Sequence, residues 1–208
     1  QFTTSASNIN GFTRANFEKR IGHMLHEYPW TACISQNHSI TVGQNNTHVT
    51  QLYSDIYFTK TLGLKLHSGR FFTSYDNYDD DYVIVGKNIY DKLVKQHDFD
   101  NTITLGNKRY RIIGVLAENN KLNYNIDINN SAISLMSYSQ RFNKELSIVS
   151  LHVPKALLNS AQYKYISPAV TDSFPKNKFY VYDGIEIISQ LNAIIFSYQY
   201  IVYGIAFL

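Results

Sequence analysis

The sequence predicts an α+β fold, and a few local patterns carry that prediction. Residues 13–28 hold apolar side chains at helical spacing, with Phe17, Ile21, Met24 and Leu25 on one face and Glu18, Lys19 and Arg20 on the other. Short runs rich in β-branched and aromatic residues recur around the turn signals Gly43-Gln-Asn-Asn46 and Gly106-Asn-Lys108. Helical spacing returns at 87–95, where Ile89, Leu93 and Val94 make the apolar side.

Thr13 is placed to cap the first helix, and Pro29 stops it. Strands follow at Thr31–Gln36, Ser39–Val42 and Thr47–Tyr53, the last two joined as a hairpin. Residues 55–62 read as a short helix or turn with Tyr57, Phe58 and Leu62 inward, leading through Gly63 to Gly69 and Arg70. Tyr75–Tyr82 is an acidic loop, and Tyr82–Val85 is a buried strand. Thr102–Leu105 and Tyr110–Leu116 form a second hairpin, followed by a polar, Asn-rich loop over Glu118–Asn130. Ala132–Leu135 and Ile148–Val153 are strands, and Pro154–Val170 holds a helix. Phe179–Tyr182 is a strand, and a long helix runs from Ile185 into the C-terminal tail. There is no repeat of fixed period and no low-complexity linker.

With 208 residues, 44% hydrophobic and 17% charged, the chain is long and apolar enough to bury a real core. A net charge of +3 with no stripe of Lys and Arg argues against nucleic acid. The single cysteine, Cys33, has no internal partner and reads as a small buried apolar residue. The polar opening Gln1-Phe-Thr-Thr-Ser5 shows no signal peptide. After Glu186 there is no charged residue, and Ala193–Leu208 is strongly apolar. That run is either a buried core element or the start of a membrane helix, which takes roughly 20 such residues.

No motif points to catalysis. The acidic run Asp76-Asn-Tyr-Asp-Asp-Asp81 fails as an EF-hand, because Tyr78, Asp81 and Lys87 fall where a ligand, a Gly and a Glu are required. His23 and His26 share a helix face, but they do not form a His-Glu-x-x-His motif. Gly-x-Ser-x-Gly, the P-loop and Gly-x-Gly-x-x-Gly are all absent. Arg70 has two readings: it pins its own loop by pairing with Asp76 or the Asp79–Asp81 cluster, or it contacts an anionic ligand. The first is favoured.

The ordered set Tyr57-Phe58, Gly69-Arg70-Phe71-Phe72, Asp76, Val83-Ile84-Val85, Leu93 and Ile112-Ile113-Gly114-Val115 resembles the extracytoplasmic core domain of MacB-like ABC transporter permeases. The resemblance runs from about Thr13 to the apolar tail and is most specific over Asp55–Leu116. Departures are Asp100-Asn-Thr102 in place of Pro-Ile-Gly, Met136 in place of a proline, and an N-terminal strand that is short or missing. The resemblance implies a two-lobed domain between the first and second membrane helices. Residues 1–54 and 117–190 would form a porter-like βαβ-type subdomain, 55–116 an inserted mixed α/β subdomain, and 191–208 the start of the second membrane helix.

It implies a structural role for Tyr57, Phe58, Gly69, Arg70, Phe72, Asp76, Gly114 and Val115, with no catalytic, cofactor-binding or metal-ligating residue. It also implies a non-catalytic domain on the outer face of a cell membrane, periplasmic in a Gram-negative cell, that couples helix motion to export. The expected partners are a second permease subunit, an ABC ATPase domain holding ATP and Mg, and a periplasmic adaptor protein. The alternative is a membrane-anchored ligand-binding or sensor domain, with a hydrolase as a third reading.

Overall fold

The computed structural model describes residues 2–4, 11–26, 28–42, 45–76, 81–96, 98–119, 126–152, 161–175 and 179–181. The strands are β1 (Phe2–Thr4), β2 (Trp30–Val42), β3 (Asn45–Ser54), β4 (Leu66–Gly69), β5 (Tyr82–Val85), β6 (Thr102–Leu105), β7 (Lys108–Leu116), β8 (Ser131–Leu135), β9 (Ile148–Leu151) and β10 (Phe179–Val181). The helices are α1 (Arg14–Ile21), α2 (Phe58–Thr61), α3 (Lys87–Leu93), α4 (Tyr138–Asn143) and α5 (Ala161–Ser173). All ten strands join one mixed sheet in the order β10-β1-β9-β2-β3-β8-β5-β7-β4, with β6 added alongside β7. β3–β8 and β5–β7 are parallel, and the other pairs are antiparallel. The α+β class expected from the sequence is the one observed.

Local chemistry explains the elements. Thr13 caps α1 by accepting the N–H of Asn16, and a short 3₁₀ turn at Gly22–Met24 ends the segment ahead of Pro29. Gly106 takes φ +60° in the two-residue turn that closes Leu105 onto Lys108. A positive φ at the first central position suits a tight hairpin. β5 is buried on both faces: Val83 and Val85 enter one apolar cluster and Ile84 another, as period-two alternation requires.

Three buried clusters form the core. Phe12, Phe17, Ile21 and Leu25 meet Leu146, Val149, Ile166, Val170 and Phe174, so residues from distant parts of the chain close one cluster. Cys33, Leu52, Phe58, Phe72, Ile84 and Ile133 belong to the second. The third joins Ile40 and Val49 to Val83, Val85, Ile89, Leu93, Ile103, Tyr110 and Val115.

Several expectations are corrected. The strands expected at Thr31–Gln36 and Ser39–Val42 are one strand, because Asn37 and His38 keep register with Thr50 and Val49 and no Gly or Pro interrupts them. Tyr57 is 58% exposed rather than inward, since Asp55 takes its backbone N–H and turns the chain so that only Phe58 enters the core. Val94 is 42% exposed, lying one residue past the end of α3. The N-terminal strand expected to be short or missing is short: β1 has three residues and lies between β9 and β10. α4 was not foreseen, although Ser137 and Gln140 form a capping box at its start. α5 spans Ala161–Ser173, runs past the Val170 end of the segment expected to hold a helix, and carries Pro168 within it. The residues around Pro154, the turn residues Gly43 and Gln44, the loop at 120–125 and everything from Tyr182 onward lie outside the described residues. That includes the long helix and the apolar tail. No helix among the described residues is long and apolar enough to cross a membrane.

Candidate functional site

Of the residues singled out by sequence, Gly69, Arg70, Phe72, Asp76, Gly114 and Val115 lie around one corner of the sheet, where β4 meets β7, while Tyr57 and Phe58 stand at the start of α2 instead. Gly69 pairs with Gly114 across the two strands, and the Arg70 N–H donates to the Ile113 carbonyl at 3.0 Å. Arg70 then folds back onto its own loop. Its guanidinium grips Asp76 with two hydrogen bonds, Nη1 to Oδ2 and Nη2 to Oδ1, both 2.7 Å. Asp76 Oδ2 also accepts the Thr73 N–H at 2.7 Å and the Thr73 hydroxyl at 3.0 Å.

These partners fix the charge state. The Arg70 hydrogen bond, joined by the two from Thr73, outweighs burial and holds the Asp76 carboxyl down at about 2. Phe72 anchors the far side of the turn in the second core cluster, and Val115 is buried beside the crossing. Arg70 and Asp76 therefore saturate each other. The pair fixes the loop at this corner. Asp81 pairs with Lys108 instead of Arg70, and Asn77–Asp80 lie outside the described residues.

A second polar cluster was missed by sequence reasoning. Arg14, 9% exposed, lies over the Trp30 ring at 4.2 Å and bonds Glu18 Oε1 through Nε at 2.9 Å. Its Nη1 pairs with Asp55. Asp55 also accepts the Thr31 hydroxyl at 2.9 Å, and Arg141 of α4 bonds Glu18 Oε2 at 2.9 Å. The cluster ties α1, β2, α4 and the turn before α2 around a cleft of about 240 Å³. Burial works to raise the Glu18 carboxyl, but hydrogen bonds and charge from Arg14 and Arg141 outweigh it and leave the group below its usual range. The Arg14–Glu18 spacing of four was a readable helix signal. Asp55, 41 residues away in the chain, had none.

Other candidates do not assemble. Cys33 is fully buried, and burial with the nearby Asp55 charge pushes its thiol up to about 12. His26 Nδ1 lies 2.9 Å from the His23 carbonyl. No group of three or more His, Cys, Asp or Glu side chains among the described residues could hold a metal.

The family model for the MacB-like periplasmic core domain matches residues 4–162. The chain belongs to that family. Two solved structures share its fold. The periplasmic region of MacB from Actinobacillus actinomycetemcomitans superposes with a TM-score of 0.63 at 14% identity, covering 92% of this chain and 91% of that one. The extracellular domain of the noncanonic ABC-type transporter YknZ from Gram-positive bacteria gives 0.60 at 17% identity, covering 88% and 98%. A comparison with curated proteins finds no match. This MacB-like domain is thus the extracytoplasmic part of an ABC transporter permease, with the α+β fold of its relatives.

Proposed function

We propose that this domain is a non-catalytic coupling element: it receives motion from flanking membrane helices and delivers it to its outer surface, in export or substrate release. The observation that carries this reading is the pairing of β1 with β10, Phe2 opposite Val181 and Thr4 opposite Phe179. The early and late segments of the chain are hydrogen-bonded neighbours at one end of the sheet. From there the strands run in unbroken order to β4. Helices attached at the two ends would pull on adjacent strands, and a hydrogen-bonded sheet with packed faces transmits strain rather than absorbing it.

In this reading residues 1–54 and 117–190 act as the porter-like subdomain and 55–116 as the insert, with Gly69, Arg70, Asp76 and Gly114 bracing the insert's corner. A second permease subunit, an ABC ATPase holding ATP and Mg, and a periplasmic adaptor are the expected partners. ATP hydrolysis belongs to the ATPase and not to this domain. The test is Ile188→Pro, in the predicted helix leading to the tail and outside the described residues. Proline breaks a helix interior, so ATPase activity of the intact transporter should persist while transport falls. Normal transport by that variant would sink the coupling reading.

A further inference from the structure

β3 and β8 run parallel and reach the same row of the sheet, with Ser54 opposite Leu135. Beyond that row the chain leaves β3 through Asp55–Tyr57 and leaves β8 through Met136 into α4. The cleft of about 240 Å³ is lined from both exits, and α1 adds Arg14 and Glu18, one helical turn apart, to its wall.

Hydrogen bonding in this cleft is lopsided. Asp55 Oδ1 accepts the Thr31 hydroxyl and the Tyr57 N–H, both at 2.9 Å, and Oδ2 accepts Arg14 Nη1. Glu18 Oε1 accepts Arg14 Nε, and Oε2 accepts Arg141 Nη2. Every carboxylate oxygen of the cluster therefore has a donor. The guanidiniums are not spent in the same way, since each carries five N–H groups. Among the described residues Arg14 bonds through Nε and Nη1 alone, and Arg141 through Nη2 alone. Arg14 is nine-tenths buried, where a donor left without a partner is costly. Glu18 holds both guanidiniums at the wall of one cleft, so their unspent N–H groups serve the same space. Ile56, Met136 and the exposed Tyr57 supply an apolar wall beside them.

We propose that this cleft binds the C-terminal carboxylate of another polypeptide, one whose last side chain is apolar. The group the cleft lacks is an acceptor, and a planar carboxylate matches the fork of a guanidinium. Two guanidiniums and two carboxylates already cancel in charge, which suits a single negative charge better than a doubly charged phosphate. The volume falls below the range of about 300–1,000 Å³ for sites that enclose a drug-sized ligand, so the cleft admits the end of a longer chain and not a stretch of it. Ile56, Met136 and Tyr57 then cover the last side chain, while the carboxylate meets Arg14 and Arg141. Capture of a chain terminus is a recurring mode of peptide recognition. The proposal stands apart from the coupling reading, because binding is measured directly and not through transport.

The probes are N-acetyl-leucine, its uncharged amide, N-acetyl-glycine, an acetylated tripeptide ending in leucine, and inorganic phosphate. Binding is read from the arginine side-chain N–H signals of the nitrogen-15-labelled chain. N-acetyl-leucine should shift the signals of Arg14 and Arg141 saturably, and the tripeptide should bind at least as well. The amide should leave both signals in place. N-acetyl-glycine, which lacks the apolar group, should bind at least about tenfold more weakly. Arg141→Gln removes one fork from a half-exposed position and should weaken N-acetyl-leucine at least about tenfold. No saturable shift, equal binding of the amide, or undiminished binding by Arg141→Gln overturns the proposal. So does exclusion of the tripeptide, since a small free acid would then be the occupant, and so does tighter binding of phosphate than of N-acetyl-leucine. If Arg141→Gln fails to fold, the amide and glycine comparisons still decide.

Discussion

Gly69 and Gly114 stand opposite each other in the β4–β7 pair, and each leaves space that a backbone oxygen occupies. A Cβ on Gly114 would lie 2.4 Å from the Arg70 carbonyl oxygen, and one on Gly69 would lie 2.3 Å from that of Ile113. Backbone oxygens in a paired strand have nowhere to retreat. Gly114→Ala is therefore expected to lower stability by roughly 1–3 kcal/mol, the range for overpacking. Gly69→Ala should cost more, because Gly69 also sits at φ +78°, where a side chain is strained. Urea unfolding midpoints check both, and wild-type midpoints would show that the crossing is looser than its geometry.

The Arg70–Asp76 pair makes a pH prediction. The Asp76 carboxyl is lowered from 3.8 to about 2 in the folded chain. A depressed carboxylate contributes stability that is present above its unfolded value and lost as pH falls through its folded value. The contribution should be constant above about pH 5 and disappear between pH 4 and 2. Arg70 is 48% exposed at its side chain, so water and salt screen the pair and its worth is about 1 kcal/mol. Arg70→Gln should flatten the acid limb of the stability curve by that amount. An unchanged acid limb would show that Thr73 alone holds the carboxylate.

What the sequence made legible was local. The capping Thr13, the Gly106 turn and the apolar run Tyr82–Val85 are near-neighbour signals, and each produced the element expected of it. Arg70 and Asp76 are six residues apart, and charge pattern alone offered Arg70 either Asp76 or the Asp79–Asp81 cluster; the structure pairs it with Asp76. Tyr57 was misplaced because an apolar pair in a short turn does not reveal which ring faces inward, and the Asp55 bond to its N–H decides that. The meeting of Gly69 with Gly114, the parallel pairing of β3 with β8 and the Arg14–Asp55 contact depend on topology, which no local pattern encodes.

Arg14 gives a sharper test of the missed cluster. Truncating one partner of a buried pair leaves the other charge uncompensated, at a cost of about 3–5 kcal/mol. Arg14→Met should approach that cost, since it strands Asp55, leaves Glu18 with Arg141 alone and also removes the cation over Trp30. Adding Asp55→Asn should recover part of the loss, because the uncompensated carboxylate is gone. A double-mutant cycle by chemical denaturation measures the coupling. Strictly additive losses would mean that the two groups touch without cooperating.

Cys33 offers a probe of β2 itself. It is fully buried, and its thiol is pushed up to about 12. Only the thiolate reacts with a disulfide reagent, so at pH 8 about one molecule in ten thousand would be competent even if the reagent had access. Native chain mixed with such a reagent should remain unlabelled for hours and take up one equivalent once unfolded in guanidinium. Between those limits, labelling in low denaturant should track opening of β2 from β3 and β9, which enclose Cys33 on both sides through Ser54 and Ile148. Destabilising the distant corner with Gly114→Ala should then speed labelling if the sheet opens as one unit, and leave it unchanged if β2 opens alone. Rapid labelling of the native chain would contradict the buried placement of the thiol.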